Sequence, residues 1–190
     1  MGKILCLIYE NMADFEITFA CHLLQFFGER EVLSVGIAKL PVKGLSGMTY
    51  KPVLSLDEAL ILDDVDALII PGGWSEERDE RILALIQKLN SAGKLLCAIC
   101  SGPYYLAEAG VLEGKAFTTS LTADSLKTLG EENDPLSWDH FRETGVVCIE
   151  NVITAQANAF IDFGVEIYDA LGFFKDQDEK WTCAEHFKGR

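Results

Sequence analysis

The sequence predicts an α/β fold built on a mainly parallel sheet. Three observations carry that expectation. Short apolar runs that suit buried strands alternate with stretches of helical spacing along the whole chain. Two of the strand-like runs end in residues that permit an abrupt change of direction, Pro71-Gly72-Gly73 and Cys100-Ser101-Gly102-Pro103. The second ending passes straight into a helical pattern, with Pro103 in the first turn, where its missing N–H is not needed.

In chain order, Lys3 to Tyr9 reads as a strand, Ala13 to Phe27 as a helix and Val32 to Ala38 as a strand. That helix carries Phe15, Phe19, Leu23, Phe26 and Phe27 at helical spacing and stops at Gly28. Leu40 to Leu54, broken by Gly44, Gly47 and Pro52, suits a small hairpin or excursion. Ser55-Leu56-Asp57-Glu58 has the spacing of a capping box before a short turn. Val65 to Ile70 is a strand, Glu76 to Asn90 an amphipathic helix with Ile82, Leu85, Ile86 and Leu89 inward, and Lys94 to Ile99 a buried strand. Tyr104 to Ala109 and Thr122 to Leu129 suit short helices, with an acidic loop from Glu131 to Phe141. Val146–Ile149 and Val152–Ala155 form an expected hairpin around Glu150-Asn151. Ala157 to Phe174 is the last long helical pattern, and Lys175 to Arg190 a terminal helix with Trp181 and Phe187 as anchors. There is no internal repeat, linker or low-complexity segment, so residues 1–190 are expected to form one domain.

Most free cysteines are inert core residues. Cys97, inside a strand-like run, fits that description. Cys100 does not, because a strand-to-helix elbow lifts its side chain clear of the sheet and aims the first N–H groups of the next helix at it. Both effects are expected to favour a thiolate. The pair spells C-x-x-C, but a dithiol of the thioredoxin type opens a helix, and here the first cysteine lies in the strand. Glu16 stands just past the end of the first strand, in the early turns of the first helix. In an open parallel sheet that is the edge where sites gather, and Cys100 belongs to the same edge. A carboxyl there could hold the thiol or manage its proton.

The net charge of −14 argues against a nucleic-acid partner or an anionic membrane surface. No run reaches the ~18 apolar residues of a spanning helix. The six cysteines follow neither a disulfide framework nor a zinc-ligand spacing, so no metal or cofactor is called for and a reducing, cytoplasmic setting is expected.

The elbow AICSGPYYLAEAGVLEGK, the Pro71-Gly72-Gly73 turn, Ala13-Asp14-Phe15-Glu16 and the tail VITAQANAFIDFGVEIYDAL resemble the PfpI-like superfamily over about residues 3 to 173. That group includes bacterial intracellular proteases and chaperones, the human Parkinson disease deglycase-like protein and relatives of the class I glutamine amidotransferases. The resemblance implies a flavodoxin-like three-layer sandwich, a homodimer, Cys100 as reactive thiol and Glu16 as its carboxyl partner. It also implies an oxyanion hole from the N–H groups of Gly73 and Ser101. An apolar surface near Phe15, Phe19 and Phe26 could supply the dimer contact. Many members carry a histidine directly after the cysteine, or later at the end of a Thr-Thr-His run. Those places hold Ser101 and Ser120 here. Hydroxyls cannot serve as general bases near neutral pH as imidazole can. Of the three histidines, His22 lies in the first helix and His186 in the tail, leaving His140 as the one that could reach the site. Three functions stay open: an enzyme acting on a small carbonyl or acyl substrate through Cys100, a cysteine redox sensor or chaperone-like protein, and a relative without chemistry.

Overall fold

The protein is described by a computed structural model covering residues 2–73, 79–130 and 133–189. Its elements are β1 (Lys3–Leu7), α1 (Phe15–His22), β2 (Val32–Gly36), β3 (Val42–Lys43), β4 (Thr49–Tyr50), β5 (Leu54–Ser55), α2 (Leu56–Leu60) and β6 (Val65–Ile70), followed by α3 (Glu80–Ser91), β7 (Leu95–Ile99), α4 (Pro103–Glu108) and α5 (Ala123–Thr128). The chain closes with β8 (Val146–Ile149), β9 (Val152–Ala155), α6 (Phe160–Ala170) and α7 (Gln177–Lys188). Seven strands form one sheet in the order β5-β2-β1-β6-β7-β9-β8, parallel except for the β8–β9 hairpin. Helices α1 and α6 pack on each other, with α6 also against β7 and β9, while α2, α3 and α4 form the other layer, with α3 against β6 and β7. This is the flavodoxin-like three-layer sandwich.

The central strands are apolar on both faces, as a sheet covered on both sides requires. Ile4, Leu5 and Leu7 of β1, Leu68 to Ile70 of β6 and Leu96 to Ile99 of β7 are all buried. β1 lies between β2 and β6, so the chain leaves it in one direction and later returns on the other side. That reversal opens a crevice at the carboxyl ends of β1, β6 and β7. The residues after those three strands therefore meet: the Glu10–Glu16 segment, Pro71 to Gly73, and Cys100.

Several expectations on element boundaries are corrected. The first helix begins at Phe15 and changes after His22 into a π-helical turn, Leu23–Phe27, closed by Gly28 N–H to Leu23 C=O. The wider turn shifts the helical phase, so Leu23 and Leu24 go into the core while Phe26 and Phe27 face outward against His22. Helix α3 starts at Glu80 behind an Asp79 cap; the expected start at Glu76 falls outside the described residues. Trp74, Glu131 and Arg190 also lie outside them. Trp181 is no anchor: it is 67% exposed, whereas Phe187 packs edge-on to Phe19. The helix expected from Ala157 is a short 3-10 turn, Ala157–Ala159, leading into α6.

The 40–54 excursion is a two-stranded hairpin, β3 on β4, strapped across the segment after β1. Asn11 N–H donates to Lys43 C=O and Leu45 N–H to Met12 C=O, both at 2.9 Å. Asp14, itself buried, accepts from Ser46 N–H at 3.1 Å, from the Ser46 hydroxyl and from the Tyr50 hydroxyl at 2.6 Å. The expected capping box is formed: Glu58 N–H donates to Ser55 Oγ and Ser55 N–H to Glu58 Oε2.

Candidate active site at the β7 elbow

Cys100 has φ +60°, in the left-handed region that a cysteine enters only at a cost of about 1–2 kcal/mol. The surroundings over-determine this conformation. Cys100 N–H donates to Ala155 C=O at 2.9 Å, and its own carbonyl accepts from Thr119 Oγ1 at 2.6 Å and Ser120 N–H at 3.0 Å. Gly102 has no room for a side chain, since a Cβ there would lie 2.7 Å from Ile70 C=O. Pro103 opens α4. The elbow read from the sequence is thus present, and the thiol stands half-buried at the crevice.

Glu16 is 1% exposed and points back from α1 toward the elbow. Gly72 N–H donates to its Oε2 at 2.8 Å, and its carboxyl group is in hydrogen-bonding contact with the Cys100 thiol. Gly72 is the spacer between the two, because a Cβ there would lie 2.6 Å from Glu16 Oε2 and 2.8 Å from Cys100 Sγ. The Gly72 carbonyl is held by the Tyr9 hydroxyl at 2.8 Å and Ala13 N–H at 2.9 Å. In a trans peptide the following N–H points the opposite way, so Gly73 N–H is turned from those partners and donates to none of the described residues. Gly73 adopts φ +109° and approaches the 11–13 backbone too closely for any Cβ, with Met12 Cα at 2.6 Å from where one would stand. Its carbonyl accepts from the Ser101 hydroxyl at 2.5 Å, while Ser101 N–H is directed at Cys100 Sγ.

The electrostatics correct one expectation. The thiol is not poised as a thiolate: burial, then the charge of Glu16, pushes Cys100 up to about 11, against the weaker pull of Ser120 and Ser101 N–H. Burial also raises Glu16 above the usual carboxylate range, with the Gly72 N–H and Cys100 bonds opposing it. Glu16 thus disfavours a negative charge on the thiol, whereas the thiol, as a donor, favours the carboxylate. The N–H groups of a two-residue approach to α4 do not outweigh loss of water and a neighbouring carboxylate.

Glu16, Gly73, Cys100 and Ser101 therefore lie together, as the sequence placed them. His140 does not join them: the groups bearing on the Cys100 thiol are Glu16, Ser120 and Ser101 N–H, while His140 offers its carbonyl to Phe117 N–H. His22 stacks on Phe26, and His186 meets Phe187 edge-on. Cys97 is a core residue. Nothing in the residue pattern marks Tyr9 as holding the glycine turn or Thr119 as clamping the elbow carbonyl; both contacts span the fold. Among the described residues no three His, Cys, Asp or Glu side chains converge as metal ligands. No described helix is long and apolar enough to cross a membrane. An open cavity of about 520 Å³ lies against Ser120, lined also by Thr122, Phe141, Glu143, Gln156 and Asn158.

A strained cysteine at a β-strand elbow, faced by a buried glutamate and a glycine turn on an open parallel sheet, defines a class of α/β proteins with a thiol at the elbow. The chain belongs to the DJ-1/PfpI family, whose sequence model matches residues 2–170. It is 33% identical to the deglycase TK1284 of Thermococcus kodakarensis over 134 residues, which cover 68% of this chain and 80% of that protein. It is 28% identical to the uncharacterized protease YoaZ of Bacillus subtilis over 182 residues, covering 90% of this chain and 84% of that one. The crystal structure of the DJ-1 superfamily protein Atu0886 from Agrobacterium tumefaciens superimposes with a TM-score of 0.81 at 26% identity, covering 98% of this chain and all of that one.

Proposed function

We propose that this protein, one DJ-1/PfpI domain over residues 1–190, is a cysteine-dependent enzyme acting on a small carbonyl or acyl substrate through Cys100. The observation that carries the reading is the buried Glu16 carboxyl, held by Gly72 N–H against a thiol that the backbone strains to present. Similarity to a protein named a deglycase favours a reactive carbonyl as substrate. With an aldehyde, Cys100 sulfur bonds the carbonyl carbon as the C=O π pair moves to oxygen. Glu16 takes the thiol proton and returns it to that oxygen, leaving a hemithioacetal. A carboxyl raised toward neutrality suits both halves of that transfer. Gly73 N–H and Ser101 N–H are the donors for the transient oxyanion, where removing one such donor typically costs about 10²–10³-fold in rate.

The test is turnover of a small 2-oxoaldehyde, and of a thioester, by wild type, Cys100→Ser and Glu16→Gln at equal folded concentration. Loss of at least about a hundredfold in both variants is expected. Turnover retained by Cys100→Ser overturns the reading. A second reading, a redox sensor, is favoured by the same raised carboxyl, which in its protonated form can donate to an oxygen of an oxidised Cys100. A two-oxygen mass gain at Cys100 under mild hydrogen peroxide, dependent on Glu16 and without turnover by wild type, selects it.

The protein is also proposed to be a homodimer. Phe15 at the start of α1, edge-on to Phe160, and Phe26 in the π-turn beyond α1 are 53% and 69% exposed and offer apolar surface, whereas Phe19 is taken up by Phe160 and Phe187. Sedimentation showing only monomer at tens of micromolar ends that proposal.

A further inference from the structure

Away from the elbow, α7 closes a cavity of about 190 Å³ against α6 and the π-turn. Gly172, at φ +77°, turns the chain out of α6, and Asp176 caps α7 by accepting from Glu179 N–H at 2.9 Å. Lys180 pins α7 to α6 by donating to Glu166 at 2.7 Å and Asp169 at 2.8 Å. The shifted phase of the π-turn brings Phe27 to the rim of the same cavity. The rings of Phe27, Tyr168, Phe174 and Phe187 line it, with Glu179 and Cys183 between them. Tyr168 and Phe174 meet at 61° with centroids 4.8 Å apart, which makes a corner and not a stack. Phe187 stands edge-on to Phe19, and Phe27 edge-on to Phe26.

The lining carries one uncommitted charge. Burial, then the charge of Glu179, keeps the Cys183 thiol above the ordinary range and therefore neutral. Glu179 Oε2 accepts from Lys175 N–H at 2.8 Å, and among the described residues its carboxylate has no ion-pair partner. The lysines of α7 are engaged elsewhere, Lys180 as above and Lys188 with Asp162. An anion is repelled by that carboxylate and by a chain of net charge −14. A neutral guest leaves the carboxylate unanswered. A compact ammonium loses its water among the rings without gaining acceptors for its protons. An alkylated ammonium has no such protons to satisfy, spreads its charge over methyl groups and is attracted by aromatic rings. At about 30 Å³ for each water, the space equals about six waters, so it admits a head group of about six heavy atoms.

We propose that the cavity between α6, α7 and the π-turn is a binding site for a quaternary ammonium group, held by the rings of Phe27, Tyr168, Phe174 and Phe187 and by the Glu179 carboxylate. The site is separate from Cys100 and its test involves no turnover. Choline chloride is titrated into the full chain and followed by amide NMR spectra, with sodium chloride at equal ionic strength as the blank. The second probe is the uncharged alcohol of the same shape, in which carbon replaces the nitrogen. Saturable shifts are expected at the amides of Phe27, Tyr168, Phe174 and Cys183, with choline binding at least about fivefold more tightly than the alcohol. Phe174→Leu keeps apolar bulk and removes a ring; it weakens choline about fivefold and leaves the alcohol unchanged. Glu179→Gln weakens choline by a similar factor, about fivefold, through loss of charge. Trp181→Leu, on α7 but outside the cavity, changes neither probe. Equal affinity of wild type for the two probes, or choline shifts no larger than those of sodium chloride, overturns the proposal without recourse to any variant. Unchanged choline affinity in both Phe174→Leu and Glu179→Gln overturns it as well.

Discussion

Replacing Gly72 by alanine separates the role of contact from the role of backbone conformation. Gly72 is not among the residues of positive φ, so alanine fits its backbone. The obstacle is the methyl group alone. It would stand 2.6 Å from Glu16 Oε2 and 2.8 Å from Cys100 Sγ, about 0.8 Å inside the 3.4 Å where ordinary contact begins for the oxygen. Glu16 cannot retreat freely, because the same Gly72 N–H holds that oxygen at 2.8 Å and the carboxyl is buried. Overpacking costs about 1–3 kcal/mol, and a buried group losing its hydrogen bond about as much again. The stability loss is therefore about 2–5 kcal/mol, read from urea denaturation midpoints. A displacement near 1 Å between reacting groups lowers turnover by about a hundredfold. Gly47→Ala is the companion variant: φ is +87° with nothing within 4 Å, so it strains the hairpin and leaves Cys100 alone. If Gly72→Ala matches wild type in stability and in Cys100 alkylation, the glycine is not the spacer and the Glu16–Cys100 contact is misassigned.

Three other outcomes are expected. Glu16 is raised by burial, so it contributes stability that is complete below the unfolded value near 4.5 and is lost as pH rises through the folded value; Glu16→Gln should flatten the fall in melting temperature above pH 4.5, and parallel curves would refute this. Asp14 runs the other way: burial tends to raise it, but the bonds from Ser46 and Tyr50 prevail and hold it below the ordinary range. Its contribution is present above about 3.8 and lost as pH falls through the folded value, and Asp14→Ala should speed limited proteolysis within residues 44–48 while leaving β1 protected from hydrogen exchange. Phe117, fully buried against Trp138 and Phe141, should cost about 3–5 kcal/mol as alanine in chemical denaturation.

The parallel sheet was legible because each central strand announces itself twice, by an unbroken apolar run and by the turn residues that end it. Glu16 and Cys100 could be paired from the sequence for a topological reason: residues that follow parallel strands share an edge whatever their separation along the chain. That argument reaches the edge but not the angstrom scale. Which glycine spaces the pair, and that Thr119 and Ser120 clamp the elbow carbonyl from a loop beyond α4, depend on how distant backbones settle. The direction of the Cys100 shift was misread for the same reason. Helix N–H groups can be counted in a sequence, whereas water excluded from a crevice cannot. The π-turn at Leu23–Phe27 was hidden because one extra residue in a turn leaves composition untouched and changes only phase.

The left-handed backbone at residue 100 bears on how this chain changes over generations. Glycine suits that conformation without strain, and a single base substitution converts a cysteine codon to a glycine codon. A lineage with no use for the thiol could thus gain about 1–2 kcal/mol of backbone relief by one base change, less whatever packing the side chain supplies. A cysteine at this position is thus held against the preference of its own backbone, and the neighbouring hydrogen bonds to Ala155, Thr119 and Ser120 supply what that backbone lacks.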